Sequence, residues 1–190
     1  MQSIYLAGGC FWCIEAIFLK LKGVQSIIPG YIGGVSKNPT YEEICKGTSG
    51  HAEAIKCEFD DKIISLELIL EIFFVAHDPT QKNRQGNDIG TQYRSAIFYT
   101  NVEQKKKAEE AIKKAEKIYQ NTIQTELSDK LNFYAAEEYH HNYFFKNPNS
   151  IYCNALIPPK LKTLKTKYSN IFKNWVKSKD FYIKKQVHHG

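Results

Sequence analysis

Ser3-Ile4-Tyr5-Leu6-Ala7-Gly8-Gly9-Cys10-Phe11-Trp12-Cys13-Ile14-Glu15-Ala16-Ile17-Phe18-Leu19-Lys20-Leu21 changes its hydrophobic period in the middle. Residues 3–7 read as a short strand, whereas Ile14, Ile17, Phe18 and Leu21 recur at helical spacing, so Gly8 and Gly9 mark a tight strand-to-helix turn. Cys10 therefore falls at the helix N-terminus. Unpaired backbone N–H groups and the positive end of the helix dipole favour a thiolate there and are expected to lower its pKa. Phe11 and Trp12 set two large aromatic rings beside this sulfur. Hydrophobic pattern alone leaves them equally open to an ordinary core role.

Outward from that turn, residues 23–31 read as a second strand and residues 52–59 (Ala54, Ile55, Cys57, Phe59) as a third. Ser65 caps a helix carrying Leu66, Ile69, Leu70, Phe73 and Phe74, and residues 94–99 make a fourth strand. The order is βαββαβ. It predicts an α/β chain of the α+β two-layer kind, a split-βαβ, ferredoxin-like plait. Further helices are expected beyond the plait. Thr100 and Glu103 form a capping box for one whose apolar face is Ala108, Ala111, Ile112, Ala115 and Ile118. A weaker strand over residues 125–127 and a helix over residues 137–145 complete the prediction.

The chain has 190 residues, 43% of them hydrophobic, which suits one globular domain. No apolar run approaches the roughly 18 residues needed to cross a bilayer, and Met1-Gln2-Ser3 enters a strand and not a basic signal-peptide start, so a cytoplasmic location is expected. Five cysteines, an odd number, fit reduced thiols better than a disulfide framework. The net charge of +6 comes from the end of the chain. Residues 160–190 hold nine lysines against the single Asp180, a balance of +8 that leaves −2 for the remainder. With no glycine-rich loop, zinc module or RNA-binding motif beside it, this tail reads as a solvated helical appendage and not as a nucleic-acid or membrane surface. The division expected is a catalytic domain over residues 1–160 and a lysine-rich extension over residues 161–190.

Two long connections, residues 32–51 and 77–93, carry the remaining polar density, and long loops in compact domains are usually functional. With the residues just after the first, they offer the carboxyls of Glu53 and Asp88 and the phenols of Tyr41 and Tyr93, and each connection ends at a strand start, so each can place side chains on a rigid rim. With Cys10 they make a nucleophile, an acid and hydrogen-bond donors for a developing oxyanion. His51 and His77 lack the spacing of a zinc site, so no metal and no cofactor is assigned. His140 and His141 read as packing residues. Cys45 and Cys57 read as small buried hydrophobes.

Gly9-Cys10-Phe11-Trp12, Gly30-Tyr31-Ile32-Gly33-Gly34, Asn38-Pro39-Thr40-Tyr41, Gly50-His51-Ala52-Glu53-Ala54, His77-Asp78-Pro79, Gln85-Gly86-Asn87-Asp88 and Gly90-Thr91-Gln92-Tyr93-Arg94-Ser95 stand in the order of one known family. Over residues 3–160 the chain resembles the peptide methionine sulfoxide reductase A family. The resemblance implies that Cys10 attacks the sulfur of the S epimer of methionine sulfoxide, free or in proteins. It implies that Glu53 protonates the departing oxygen while Tyr41 and Tyr93 hydrogen-bond it. Phe11 and Trp12 would cage the S-methyl group, and Asp88 would help anchor the substrate. The sulfenic acid left on Cys10 would be condensed to a disulfide by a second thiol, and thioredoxin or a similar dithiol would reduce it in a monomeric enzyme.

Two thiols compete for that second step. Cys13 lies one helical turn from Cys10, and Cys153 lies in the C-terminal region from which family members often resolve. The reading leans to Cys153, because a mobile segment reaches the helix mouth without distorting it. Many relatives carry Gly at the position of Cys13, and their distal cysteine often lies in a glycine-rich tail that this chain lacks. Two other readings account for less. A dithiol–disulfide oxidoreductase using Cys10 and Cys13 leaves Glu53, Tyr41 and Tyr93 idle, and a basic binding module explains only the tail.

Overall fold

A computed structural model describes residues 1–173. In chain order it contains β1 (Gln2–Gly8), α1 (Phe11–Phe18), β2 (Val24–Ile32), α2 (Tyr41–Cys45), β3 (Ala52–Phe59) and α3 (Leu66–Ala76). A small hairpin of β4 (Arg84–Gln85) and β5 (Asp88–Ile89) follows, and then β6 (Ser95–Phe98) and α4 (Val102–Tyr119). The described chain ends through β7 (Glu126–Ser128), β8 (Tyr134–Ala135), α5 (Tyr143–Lys146) and α6 (Ile151–Lys167).

Among the described residues six strands form one sheet in the order β7-β6-β1-β3-β2-β8. β1 runs antiparallel to β3 and β6, β2 runs antiparallel to β3 and β8, and β7 joins parallel to β6. The result is a mixed α/β fold on a mostly antiparallel sheet. β3 lies between β1 and β2, so α1 has to cross over it, and the start of α1 stands just past the end of β1, an inner strand of the sheet. α1 and α3 are apolar on most sides because they lie between the sheet and α6: Ile14, Ile17, Phe18, Ile69, Leu70 and Phe73 are all buried in the main core. Full burial of each large side chain is worth about 1.5–3 kcal/mol.

The four expected strands and the Ser65 cap are present, with Ser65 Oγ accepting the Leu68 N–H at 3.2 Å. Several details differ. α1 stops at Phe18, and Leu21 instead bridges to Phe172. The cap of α4 is Asn101, whose side chain accepts the Gln104 N–H at 2.9 Å; Thr100 donates to the Gln104 side chain and Glu103 has no part in the cap. Ile118 is 72% exposed, and Tyr119 takes its place against the core by donating to the Phe74 carbonyl at 2.6 Å. The helix expected over residues 137–145 is broken, because Asn142 adopts a left-handed conformation (φ 57°) between a short 3₁₀ turn and α5. Cys57 is buried as expected, but Cys45 is exposed at the end of α2.

The largest departure is α6, which runs through Pro158 and Pro159. Each proline removes a helical hydrogen bond, yet Cys153, Ile157, Leu161 and Leu164 fall on one face and are all buried. The boundary expected after residue 160 falls inside this helix. Phe172 is buried as well, and the Lys22 N–H bonds to the Ile171 carbonyl at 2.8 Å, tying the end of the described chain to the loop after α1. Lys177, Lys179, Lys184 and Lys185 of the basic tail lie outside the described residues. Among those described, no helix is long and apolar enough to cross a membrane.

Candidate active site

Gly9 makes the turn from β1 into α1 with φ +89°, and a Cβ there would stand 2.7 Å from the side chain of Gln85. Only glycine lets the chain turn against the β4–β5 hairpin so closely. Cys10 follows as the N-cap residue of α1, 8% exposed. The hydrogen bond from the Trp12 N–H favours its thiolate, as a helix terminus should. Burial outweighs it: with the Cys13 hydrogen bond and the nearby Glu53 carboxyl, burial pushes the Cys10 thiol well above the ordinary cysteine value. The expected acidification is therefore overturned for Cys10. The thiol held below its usual value is Cys13, through its hydrogen bond to Cys10 and the charge of Lys160.

Cys10, Phe11, Trp12, Tyr41, Glu53, Asp88 and Tyr93, all singled out from the sequence, line one cavity of about 180 Å³. β3 supplies Glu53 opposite Tyr31 of β2. Its carboxyl is 2% exposed and accepts the Phe11 N–H at 3.0 Å through Oε2. Burial lifts its pKa to about 8, against the lowering effect of that hydrogen bond. Tyr41 opens α2, where Thr40 and Glu43 form a reciprocal cap, and Tyr93 closes a 3₁₀ turn over Thr91–Tyr93. Burial raises both phenols, so each keeps its proton and can donate. Asp88, on β5, accepts a short hydrogen bond from Tyr152 Oη.

Tyr152 is the eighth wall of this cavity and was not anticipated. It reaches in from the first turn of α6, within a segment whose other contacts were equally hidden. The Trp12 indole N–H donates to His140 Nδ1 at 3.1 Å, and its ring stacks on Tyr143 at 3.8 Å between centroids and 7° between planes. Glu137 accepts from Tyr31 Oη at 2.7 Å and from the Tyr41 N–H at 2.9 Å. Glu15 accepts the Asn142 N–H at 2.7 Å, and burial raises its pKa to about 7. One signal existed in the sequence: Glu137, His140 and Tyr143 lie three apart, which put them on one helical face in the helix that was expected.

Cys153 does not lie on a free segment. It is fully buried in the first turn of α6, capped by Ser150, close enough to Cys13 for the two thiols to interact electrostatically. His51 and His77 are committed to the scaffold. His51 accepts the Gly34 N–H and meets the Ser36 carbonyl; His77 meets the Phe73 carbonyl and Ser95 Oγ.

A buried thiol with a second thiol beside it, a carboxyl that burial pushes up to about 8 and two phenols stand at one aromatic-walled cavity, an arrangement suited to an enzyme that uses a thiol with nearby proton and hydrogen-bond donors. Comparison with known proteins agrees. The family model of peptide methionine sulfoxide reductase matches residues 2–172. The chain is 50% identical over 174 residues to peptide methionine sulfoxide reductase MsrA of Acinetobacter baumannii (strain AYE), covering 92% of this chain and all of the relative. It is 50% identical over 169 residues to MsrA of Psychrobacter cryohalolentis, covering 89% and 97%. Among solved structures, Mxr1 from Saccharomyces cerevisiae in reduced form superposes with a TM-score of 0.76 at 34% identity, over 78% of this chain and 87% of that one. Mxr1 in complex with Trx2 superposes with a TM-score of 0.55 at 25% identity, over 75% and 84%. The chain belongs to the peptide methionine sulfoxide reductase family, and its chemistry is the thiol-dependent reduction of methionine sulfoxide.

Proposed function

We propose that Cys10 is the nucleophile and Glu53 the proton donor in reduction of the S epimer of methionine sulfoxide, free or in proteins. The observation that carries this reading is a carboxyl, 2% exposed and titrating near 8, lining the same cavity as the Cys10 thiol. A sulfoxide is polarised, with positive sulfur and negative oxygen. Sulfur held over Cys10 favours its thiolate, and oxygen held against Glu53, Tyr41 and Tyr93 meets a proton donor and two hydrogen-bond donors. The Cys10 sulfur gives two electrons, the S–O bond of the substrate breaks, and the oxygen leaves as the hydroxyl of a Cys10 sulfenic acid with the proton from Glu53, whose carboxylate takes back the proton that the Cys10 thiol gave up in forming its thiolate. Phe11 and Trp12 enclose the S-methyl group, and Asp88 with Tyr152 closes the cavity beside them.

Cys13 resolves first. It stands in the first turn of α1, its backbone N–H bonded to the Cys10 carbonyl at 3.1 Å, and its lowered pKa supplies the attacking thiolate; the Cys10–Cys13 disulfide forms and water leaves. Cys153 enters afterwards, because exposing it requires the first turn of α6 to open. The Trx2 complex of Mxr1 supports a thioredoxin-type dithiol as the reductant that closes the cycle. We read the enzyme as a cytoplasmic monomer acting without nucleic acid, membrane or cofactor. Its central strands form a ferredoxin-like plait, and its catalytic unit reaches residue 172. The test is a single turnover with each sulfoxide epimer, followed by mass spectrometry. About one methionine per chain from the S epimer, with a disulfide inside the peptide spanning residues 10 and 13, is expected. No turnover of the S epimer rejects the assignment.

A further inference from the structure

We propose that His140 is a positioning residue that fixes the indole of Trp12 in the substrate cage by accepting its N–H; this rests on the reading of Trp12 as a wall of that cage. His140 is fully buried and does not line the cavity, but its ring packs between three residues that do. The centroids of Phe11, Trp12 and Tyr41 lie 5.0, 5.7 and 4.5 Å from it. An indole N–H can only donate, so the bond of 3.1 Å from Trp12 Nε1 requires His140 Nδ1 to be unprotonated and places the ring proton on Nε2. Nε2 is buried without a hydrogen-bond partner, its nearest carboxylate oxygen being Glu137 Oε2 at 3.8 Å. A leucine or phenylalanine would fill this site without burying an unpaired N–H, so packing alone does not account for a histidine. The acceptor it turns toward Trp12 does.

The second contact on Trp12 shows what the hydrogen bond adds. Tyr143 stacks flat on the indole, which sets the tilt of the ring but lets it slide within its own plane. A hydrogen bond at the ring edge removes that slide. Trp12 is half-buried, so without that hydrogen bond only ring contacts with Tyr143, Phe11 and Tyr152 hold it beside the space where a methyl group must sit, and none of these is directional enough to fix its rim. Glu137 works on the neighbouring wall in the same manner, holding the backbone of Tyr41 at 2.9 Å.

The experiment compares His140→Asn, whose amide oxygen falls near the place of Nδ1, with His140→Leu and His140→Gln, which offer no acceptor there. The ¹H–¹⁵N indole resonance of Trp12, distinguished from Trp175 by Trp175→Phe, reports the hydrogen bond without reference to activity. Steady-state kinetics on methionine sulfoxide report the cage. His140→Leu and His140→Gln are expected to move the indole proton upfield and raise KM roughly tenfold with kcat changed less than about twofold, since one neutral hydrogen bond and only ground-state positioning are lost. His140→Asn is expected to restore both. Equal damage from all three variants, or an unmoved indole resonance in His140→Leu and His140→Gln, overturns the proposal. Should His140→Leu fail to fold, the contrast of Asn with Gln decides. A wild-type protein that does not reduce methionine sulfoxide would instead reject the activity, and the cage with it, while the indole resonance still reported the bond.

Discussion

Replacing Glu53 by glutamine keeps the side chain's shape and an acceptor for the Phe11 N–H but removes a group that titrates at about 8 in the fold and at 4.5 ordinarily. The folded protein therefore holds this proton more tightly than the unfolded chain. Stability from that preference is fully present below the unfolded value and is lost as pH rises through the folded one. Each pH unit inside the window is worth about 1.4 kcal/mol, so the wild type should lose about 3 kcal/mol relative to Glu53→Gln between about pH 5.5 and about pH 7.5. Over the whole window the loss is on the order of 5 kcal/mol. Glu15 titrates in the same range, near 7, but it is present in both proteins and cancels in the difference. Urea unfolding of the two proteins across this range measures the quantity directly. A constant difference between them, with no slope in pH, would mean that Glu53 is already ionised in the fold and would refute its assignment as the acid. The kinetic counterpart is a kcat lowered roughly 10²- to 10⁴-fold in Glu53→Gln. The wild-type rate is expected to fall as pH passes through about 8, and the variant should lack that fall.

Cys13→Ser should still release about one methionine per chain and then stall as a sulfenic acid detectable by dimedone labelling, whereas Cys153→Ser should form the first disulfide at the wild-type rate. Equal stalling of both would remove Cys13 from its place as first resolver. Glu15→Ala should lower stability by about 1–3 kcal/mol near pH 6, where the side chain still accepts the partly buried Asn142 N–H, and urea unfolding reads the change. Ile157→Ala, at a fully buried position of α6, should cost about 2–5 kcal/mol in the same assay; a neutral result would show that α6 does not pack on the core. Ending the chain after residue 160 removes Leu161, Leu164 and Phe172 from the core, and its thermal midpoint should fall well below that of the full chain.

The four main strands and the first two long helices are legible because their signals are local, alternation in residues 52–59 and helical spacing after Cys10 and Ser65, whereas the two-residue strands β4, β5 and β8 are too short to carry a period. Seven wall residues of the cavity were found because they flank those elements or stand in motifs the family shares. The C-terminal part resisted for physical reasons. Pro158 and Pro159 argue against a helix by every local rule, and α6 forms around them because burial of Ile157, Leu161 and Leu164 is a tertiary effect that no local window contains. Residues 137–145 carry helical spacing, yet Asn142 turns left-handed where the buried Glu15 carboxyl captures its N–H. Tyr152, His140 and Tyr143 reach the site only by way of these two elements, and beyond the three-residue spacing of His140 and Tyr143 nothing nearby in sequence advertised them.

Cys10 shows how magnitudes decide between two correct effects. The helix terminus is where the sequence puts it, and the Trp12 N–H does reach the sulfur. Such a terminus stabilises a partly exposed anion by about 0.3–1 kcal/mol. Full burial can shift an ionisable group by up to about 3–5 pKa units, roughly 4–7 kcal/mol, so burial sets the sign. Cys10 and Glu53 thus rest as two neutral acids on one cavity wall, where two anions so close would repel. On the proposed mechanism this neutrality is the useful state. A sulfoxide is itself uncharged and enters an aromatic-walled cavity without stripping water from an ion. Its positive sulfur then supplies at Cys10 the stabilisation that the helix terminus was too weak to give, while its oxygen meets a carboxyl still carrying the proton it needs. The thiolate forms where and when its target is present, and the burial that overturned the sequence-based expectation for Cys10 is the same burial that keeps Glu53 protonated.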